Sequence, residues 1–222
     1  MIPLKDLNPR STRPFVTVLI ILTNVAVFLY ELSLGPRVGR AFLFEYGMIP
    51  ARVGLLLSGH AASLTQTFAP LLTSMFLHGS FLHIIGNMWF LWIFGDNIED
   101  FLGHWDYLLF YLVCGIGAGV VHTLANLGST VPAVGASGAI SGVLGAYIVL
   151  FPRSRVLTLV PLIFFFFTVQ LPAVVILGYW FLIQFLSGLS ALGEQTGGGT
   201  AWWAHIGGFI LGALLVMGSR RR

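Results

Sequence analysis

Ser137 sits in Gly135-Ala136-Ser137-Gly138 at the head of one apolar run, and His205 sits in Ala204-His205-Ile206-Gly207-Gly208 at the head of another. A serine hydroxyl becomes a useful nucleophile at neutral pH when a neighbouring base takes its proton, and histidine titrates in the right range. Small neighbours leave that hydroxyl open to a carbonyl. A helix beginning at Ser137 would also present unpaired backbone N–H groups and its positive dipole end to an oxyanion. His83 and Asn87 stand four residues apart, on one face of a helix, and both carry donors suited to the same oxyanion. Together the four point to acyl transfer, with Ser137 as nucleophile, His205 as general base, and His83 and Asn87 as oxyanion donors. The carboxylates offer no third member. Asp6, Asp96, Glu99, Asp100 and Asp106 cluster toward what reads as the opposite end of the bundle, and Glu31, Glu45 and Glu194 fall in loops or at helix ends. A Ser-His dyad is the economical reading.

The elements that would position these residues are membrane helices. Of 222 residues, 57% are hydrophobic and only 9% charged, against roughly a quarter charged in a soluble domain. Such a composition excludes an ordinary water-soluble fold. Six apolar stretches, at 15–34, 81–101, 105–127, 135–151, 172–190 and 201–218, are each near the length a bilayer demands. The fold class expected is therefore all-α, a polytopic bundle of six transmembrane helices over 15–218. Residues 1–14 precede it and a basic tail, 219–222, follows. The first stretch is too long for a signal core and is followed by Glu31 and Arg37 instead of a cleavage site, so it reads as a retained helix. Segment 35–80, broken by Gly35, Pro36, Pro50, Gly59 and Pro70, reads as partly interfacial. Segment 156–171, with its run of phenylalanines between Pro161 and Pro172, reads as interfacial or as an extension of the fifth helix.

With six spans and the N-terminus inside, Lys5, Arg10, Arg13, Arg153, Arg155 and Arg220 to Arg222 fall on the cytoplasmic side, and only Arg37, Arg40 and Arg52 fall outside. That asymmetry follows the positive-inside tendency and puts both termini in the cytoplasm. Ser137, His205, His83 and Asn87 then share one depth in the outer half of the bilayer. Polar side chains there usually face a bundle interior or a water-filled cavity. The mild basic excess suits orientation in a membrane, and no basic patch interleaved with aromatics suggests nucleic acid. Cys114 has no partner cysteine.

Each residue also has a plainer role. A membrane-helix serine usually bonds a carbonyl one turn back. Ser137, Ser141 and Gly145, like Ala204, Gly208 and Gly212, repeat every four positions as in close helix packing. His83 and Asn87 suit interhelical hydrogen bonds, His78 suits an ordering role at the entry to the second helix, and Glu99 a structural one. His60, His104 and His122 are assigned no chemistry.

The order of motifs resembles the rhomboid proteases over about residues 65–218. The matching pieces are Leu72-Thr73-Ser74-Met75-Phe76-Leu77-His78-Gly79, then His83 and Asn87, then Phe94-Gly95-Asp96-Asn97-Ile98-Glu99-Asp100, then the segments around Ser137 and His205. The resemblance implies a six-helix core, the Ser137 and His205 dyad, and oxyanion help from His83, Asn87 and the Ser137 N–H. It implies single-span membrane proteins as substrates, cut where their helix unwinds, with membrane lipids as surroundings and no metal or organic cofactor. Two departures stand out. Many relatives carry Trp-Arg where this chain has Ala69 and Pro70, and many carry an aromatic residue four after the nucleophile, where this chain has Ser141.

The expected function is an intramembrane serine endopeptidase in a bacterial plasma membrane. Its gate would be the fifth helix or the loop at 191–200 containing Gly197 to Gly199. A catalytically silent relative that binds membrane proteins is the alternative, and a small transporter is weaker because no inverted repeat is evident.

Overall fold

In the computed structural model, residues 1–60, 63–162, 165–190 and 201–218 are described. The glycine-rich loop expected as a gate at 191–200, with Glu194, and the basic tail at 219–222 lie outside them. The chain runs through β1 (Ile2–Asp6), α1 (Phe15–Ser33), α2 (Gly35–Tyr46), α3 (Pro50–Leu57), α4 (Leu64–Phe68), α5 (Pro70–Thr73) and a 3-10 turn at Ser74–Phe76. There follow α6 (Phe81–Leu102), α7 (His104–Ala125), α8 (Ser137–Leu150), β2 (Arg155–Leu162), β3 (Phe165–Pro172), α9 (Ala173–Ser190) and α10 (Trp202–Met217). All six expected helices are present within a few residues of the apolar stretches. Three of them, α1, α7 and α9, are long and apolar enough to cross a bilayer, and α6 passes together with the helical run at Leu64–Phe76, from which it is bent by 74°. Helices α8 and α10 are shorter.

Local chemistry sets the boundaries. Ser80 caps α6, its hydroxyl accepting from the His83 N–H at 3.2 Å, and Gly103, at φ +84°, turns the chain directly from α6 into α7. The N-terminus of α1 has no side-chain cap of its own. Glu99, from α6, supplies one: its carboxylate accepts the Val16 N–H at 2.8 Å and the Thr17 N–H at 2.7 Å. The structural role expected for Glu99 is what the fold uses, and His104 joins it at 2.5 Å.

Helix α8 is the axis of the bundle. Every residue from Gly138 to Tyr147 is buried, between α6, α7, α9 and α10. The four-residue spacing of small side chains has the packing consequence expected of it. A methyl group at Gly208 or Gly212 would strike the carbonyl of Gly138 or Gly142, and one at Gly145 would strike that of Phe209, so α8 and α10 touch backbone to backbone. The outward faces are the reverse of a soluble protein's: Leu29, Leu82, Trp105, Leu124, Leu182 and Leu214 are all exposed. A continuous apolar exterior around a packed interior is what lipid surroundings require.

The fold is not purely helical, which corrects the all-α expectation. Segment 156–171 does not extend the fifth helix, because α9 begins only at Ala173. It forms the antiparallel hairpin β2 and β3, with Arg155 opposite Pro172 and Leu162 opposite Phe165. Strand β1 adds to its other edge, from Ile2 opposite Leu159 to Asp6 opposite Val156. The physical reason is composition: valine, threonine and phenylalanine favour a pleated surface, and Pro161 lies past the end of β1, where β2 has one neighbour only. The sheet is pinned to α6. Trp89 donates its indole N–H to the Pro3 carbonyl at 2.7 Å, Arg10 pairs with Asp96 at 3.1 Å, and the Ser11 and Thr12 N–H groups reach Asp100 at 2.9 and 2.7 Å.

Candidate active site

Ser137 is the first residue of α8. The chain enters it through Gly135 at φ +129°, a conformation side chains rarely adopt, and a Cβ there would lie 2.7 Å from the His83 imidazole. Glycine is thus required twice over, by the backbone turn and by the close approach of His83. That turn aims the hydroxyl across to α10. The Ser137 Oγ lies 2.8 Å from His205 Nε2. The carbonyl-bonding role that a membrane serine usually takes falls to Ser141, whose hydroxyl donates to the Ser137 carbonyl at 2.6 Å.

His205 is buried, 8% exposed, and its second nitrogen is also engaged. Nδ1 lies 2.6 Å from Oε1 of Gln184 on α9. The ring of Trp180, one turn earlier on α9, lies 5.8 Å from the imidazole at an interplanar angle of 36°. Trp202 closes the other side edge-on at 6.3 Å. The aromatic residue absent at Ser141 is therefore replaced from a different helix. Gln184 is the one amide of an otherwise apolar helix, a signal that a polar side chain at membrane depth carries by itself, but its partner, like the role of Trp180, is revealed only by the interhelical contact.

His83 and Asn87 stand on the α6 wall facing Ser137. With Phe90, Ile140, Trp180, Gln184, Trp202 and His205 they line a cavity of about 260 Å³. All four residues singled out from the sequence therefore meet at one place, drawn from α6, α8 and α10. Asn87 is supported from behind by His78, which is 2% exposed. The Asn87 amide nitrogen lies 2.9 Å from His78 Nε2. The backbone N–H of His78 in turn points at the Glu31 carboxylate, 3.3 Å away. His78, which reads from the sequence as a loop or interface residue at the entry to this helix, lies buried there behind Asn87. The spacing of His78, His83 and Asn87 was the only available signal.

Chemically, the arrangement combines a hydroxyl hydrogen-bonded to an imidazole, the first-turn N–H groups of α8, and two polar side chains on the facing wall, in a partly enclosed apolar setting. No cluster of metal-binding side chains occurs among the described residues.

A family model described as Rhomboid domain matches residues 65–222. Among curated relatives, the chain is 31% identical over 150 residues to Rhomboid protein 1, mitochondrial, of Saccharomyces cerevisiae, covering 64% of this chain and 39% of that protein. It is 36% identical over 89 residues to presenilin-associated rhomboid-like protein, mitochondrial, of Homo sapiens, covering 39% and 24%. RHOMBOID-like protein 5 of Arabidopsis thaliana matches at 37% over 76 residues, covering 34% and 25%. The chain spans two fifths or less of the length of these relatives. Two of the three are named as mitochondrial, which gives no support to the expected bacterial plasma membrane.

Proposed function

Because the chain belongs to the rhomboid family, whose members are generally intramembrane serine proteases, we propose that it is a serine endopeptidase cutting single-span membrane proteins in or near their transmembrane helix. The observation that carries this reading is the 2.8 Å approach of Ser137 Oγ to His205 Nε2 at the wall of the cavity. His205 takes the hydroxyl proton as Ser137 Oγ bonds to the scissile carbonyl carbon. The carbonyl oxygen becomes an oxyanion, held by the Ser137 N–H with His83 and Asn87. The imidazolium gives its proton to the departing amine as the C–N bond breaks, leaving an acyl-enzyme on Ser137. Water, deprotonated by the same imidazole, then attacks the ester and restores the serine.

The six apolar helices are proposed as six spans with both termini in the cytoplasm. Helix α8 then explains the depth of the chemistry. Its 14 residues measure about 21 Å at 1.5 Å each, against a hydrocarbon core of about 30 Å. With its C-terminus at the inner surface, its N-terminal serine lies below the outer one, where water must enter by the cavity. A substrate helix would pass between α6 and α9. Of these, α9 is the better candidate to move, since it buries only Ala173, Ile176, Leu177, Gln184 and Gly188.

The test is cleavage of a fluorescent single-span substrate by detergent-purified protein, with Ser137→Ala and His205→Ala compared. Loss of cutting in both folded variants is the expected result. A wild type that cuts nothing and takes no serine-directed fluorophosphonate label overturns the reading in favour of a silent, binding relative.

A further inference from the structure

A base must hold its proton on the nitrogen that faces away from the nucleophile. Neutral imidazole has two tautomers, and only the one protonated at Nδ1 leaves the Nε2 lone pair free to accept from Ser137. The other would donate to the hydroxyl oxygen and could not remove its proton. Among the described residues no carboxylate bonds to His205; the ionisable groups near it are the imidazoles of His83 on α6 and His122 on α7. The atom facing Nδ1 is Oε1 of Gln184, at 2.6 Å. An amide oxygen accepts and never donates, so a bond of that length requires a proton on Nδ1. Gln184 is itself buried, 7% exposed. Its helix also brings Trp180 against the ring, which limits rotation of the imidazole about its own axis.

We propose that Gln184 is a positioning residue of this site, an uncharged third member that selects the base-competent tautomer of His205 from α9. The inference rests on the proteolytic reading above. It deepens that reading in one respect, because it makes the dyad dependent on a helix that contributes neither reacting atom. The choice of amide over carboxylate has a physical reason. An ionised side chain at membrane depth is costly even when paired, whereas an amide gives the same directional acceptor with no net charge. What the amide cannot do is stabilise the imidazolium as strongly as a carboxylate would.

The proposal is tested in intact protein in detergent micelles with three variants and two readouts. The first readout is kcat and KM against pH for the fluorescent single-span substrate. Gln184→Leu is expected to lower kcat about 10- to 100-fold with little change in KM. Gln184→Glu is expected to retain activity and move the acid limb of the kcat profile upward, by about one pH unit. Gln184→Asn shortens the reach and should fall between wild type and Gln184→Leu. The second readout is nitrogen NMR of ring-labelled histidine with His205→Ala as the assignment control. It should show His205 protonated at Nδ1 in wild type, and a mixture of tautomers in Gln184→Leu. A Gln184→Leu enzyme with wild-type kcat and a superimposable pH profile, while wild type cleaves, overturns the positioning role and leaves the protease standing. An inert wild type overturns the protease. His205 protonated at Nε2 in wild type overturns the positioning role whatever the activity, and the Glu variant keeps the test decisive if Gln184→Leu fails to fold.

Discussion

His78 Nε2 lies 2.9 Å from the side-chain nitrogen of Asn87, so one of the two amide protons of Asn87 is given to a histidine that never faces the cavity. The remaining proton and the orientation of the whole amide are fixed by that bond. A buried histidine outside the proposed chemistry therefore sets the direction of the amide proposed as an oxyanion donor.

Replacing His78 by leucine should free the Asn87 amide to rotate. The expected outcome is a fall in kcat of about tenfold, smaller than the roughly 100- to 1,000-fold seen when an oxyanion donor itself is removed, with KM nearly unchanged. His78→Gln, which keeps an acceptor, should recover part of it. Steady-state kinetics on the fluorescent substrate decide this, and equal kcat in His78→Leu and wild type would refute it.

Glu99 should matter to stability more than to chemistry. Glu99→Ala leaves the N–H groups of Val16 and Thr17 buried without partners, at about 1–3 kcal/mol each. Unfolding in mixed micelles should show a loss of about 2–6 kcal/mol, and the surviving folded fraction should keep its kcat. A variant as stable as wild type would show that water replaces the carboxylate.

Gly208→Leu should separate α10 from α8, because the added side chain meets the Gly138 carbonyl with no room to shift. Both thermal stability and cleavage should be lost together, since the same contact holds His205 in register with Ser137. Gly178→Ala, on α9 where nothing lies within 4 Å of an added methyl, should be tolerated and gain up to about 1 kcal/mol from helix propensity. Equal tolerance at the two positions would refute the backbone-contact picture.

Asp6 gives the pH dependence of the sheet. Burial pushes its carboxyl up from an ordinary 3.8 to about 6, against an opposing bond from the Asn8 N–H. A raised carboxyl binds its proton more tightly in the folded state, so its stabilising contribution is complete below about 3.8 and lost as pH rises through about 6. The thermal midpoint of wild type, measured relative to Asp6→Asn, should decline across that window. A difference that stays flat, or rises with pH, would show that Asp6 is not buried as described.

How much of this was legible beforehand depended on whether a signal lay in one stretch of chain or between two. The helices were legible because each carries its own apolar length, and the four residues of the site because glycine spacing and helix periodicity mark them locally. The hairpin was not. Val156 to Leu171 is apolar in a way that suits a helix, a strand or an interface, and only pairing with Ile2 to Asp6 resolves it. The partner of Gln184 was invisible for a related reason: a lone amide on an apolar helix acquires a role only when His205 arrives from another helix. Ser141 read as a deficit, because the replacement ring, Trp180, lies 39 positions downstream.

The order of synthesis makes the β1–β2 pairing consequential for how the protein is born. Ile2 to Asp6 are made well before the strand they join, Arg155–Leu162. At about 5–20 residues per second that segment spends roughly ten to thirty seconds with its backbone unpaired. Closing that face of the molecule thus waits until α1, α6, α7 and α8 have all been made.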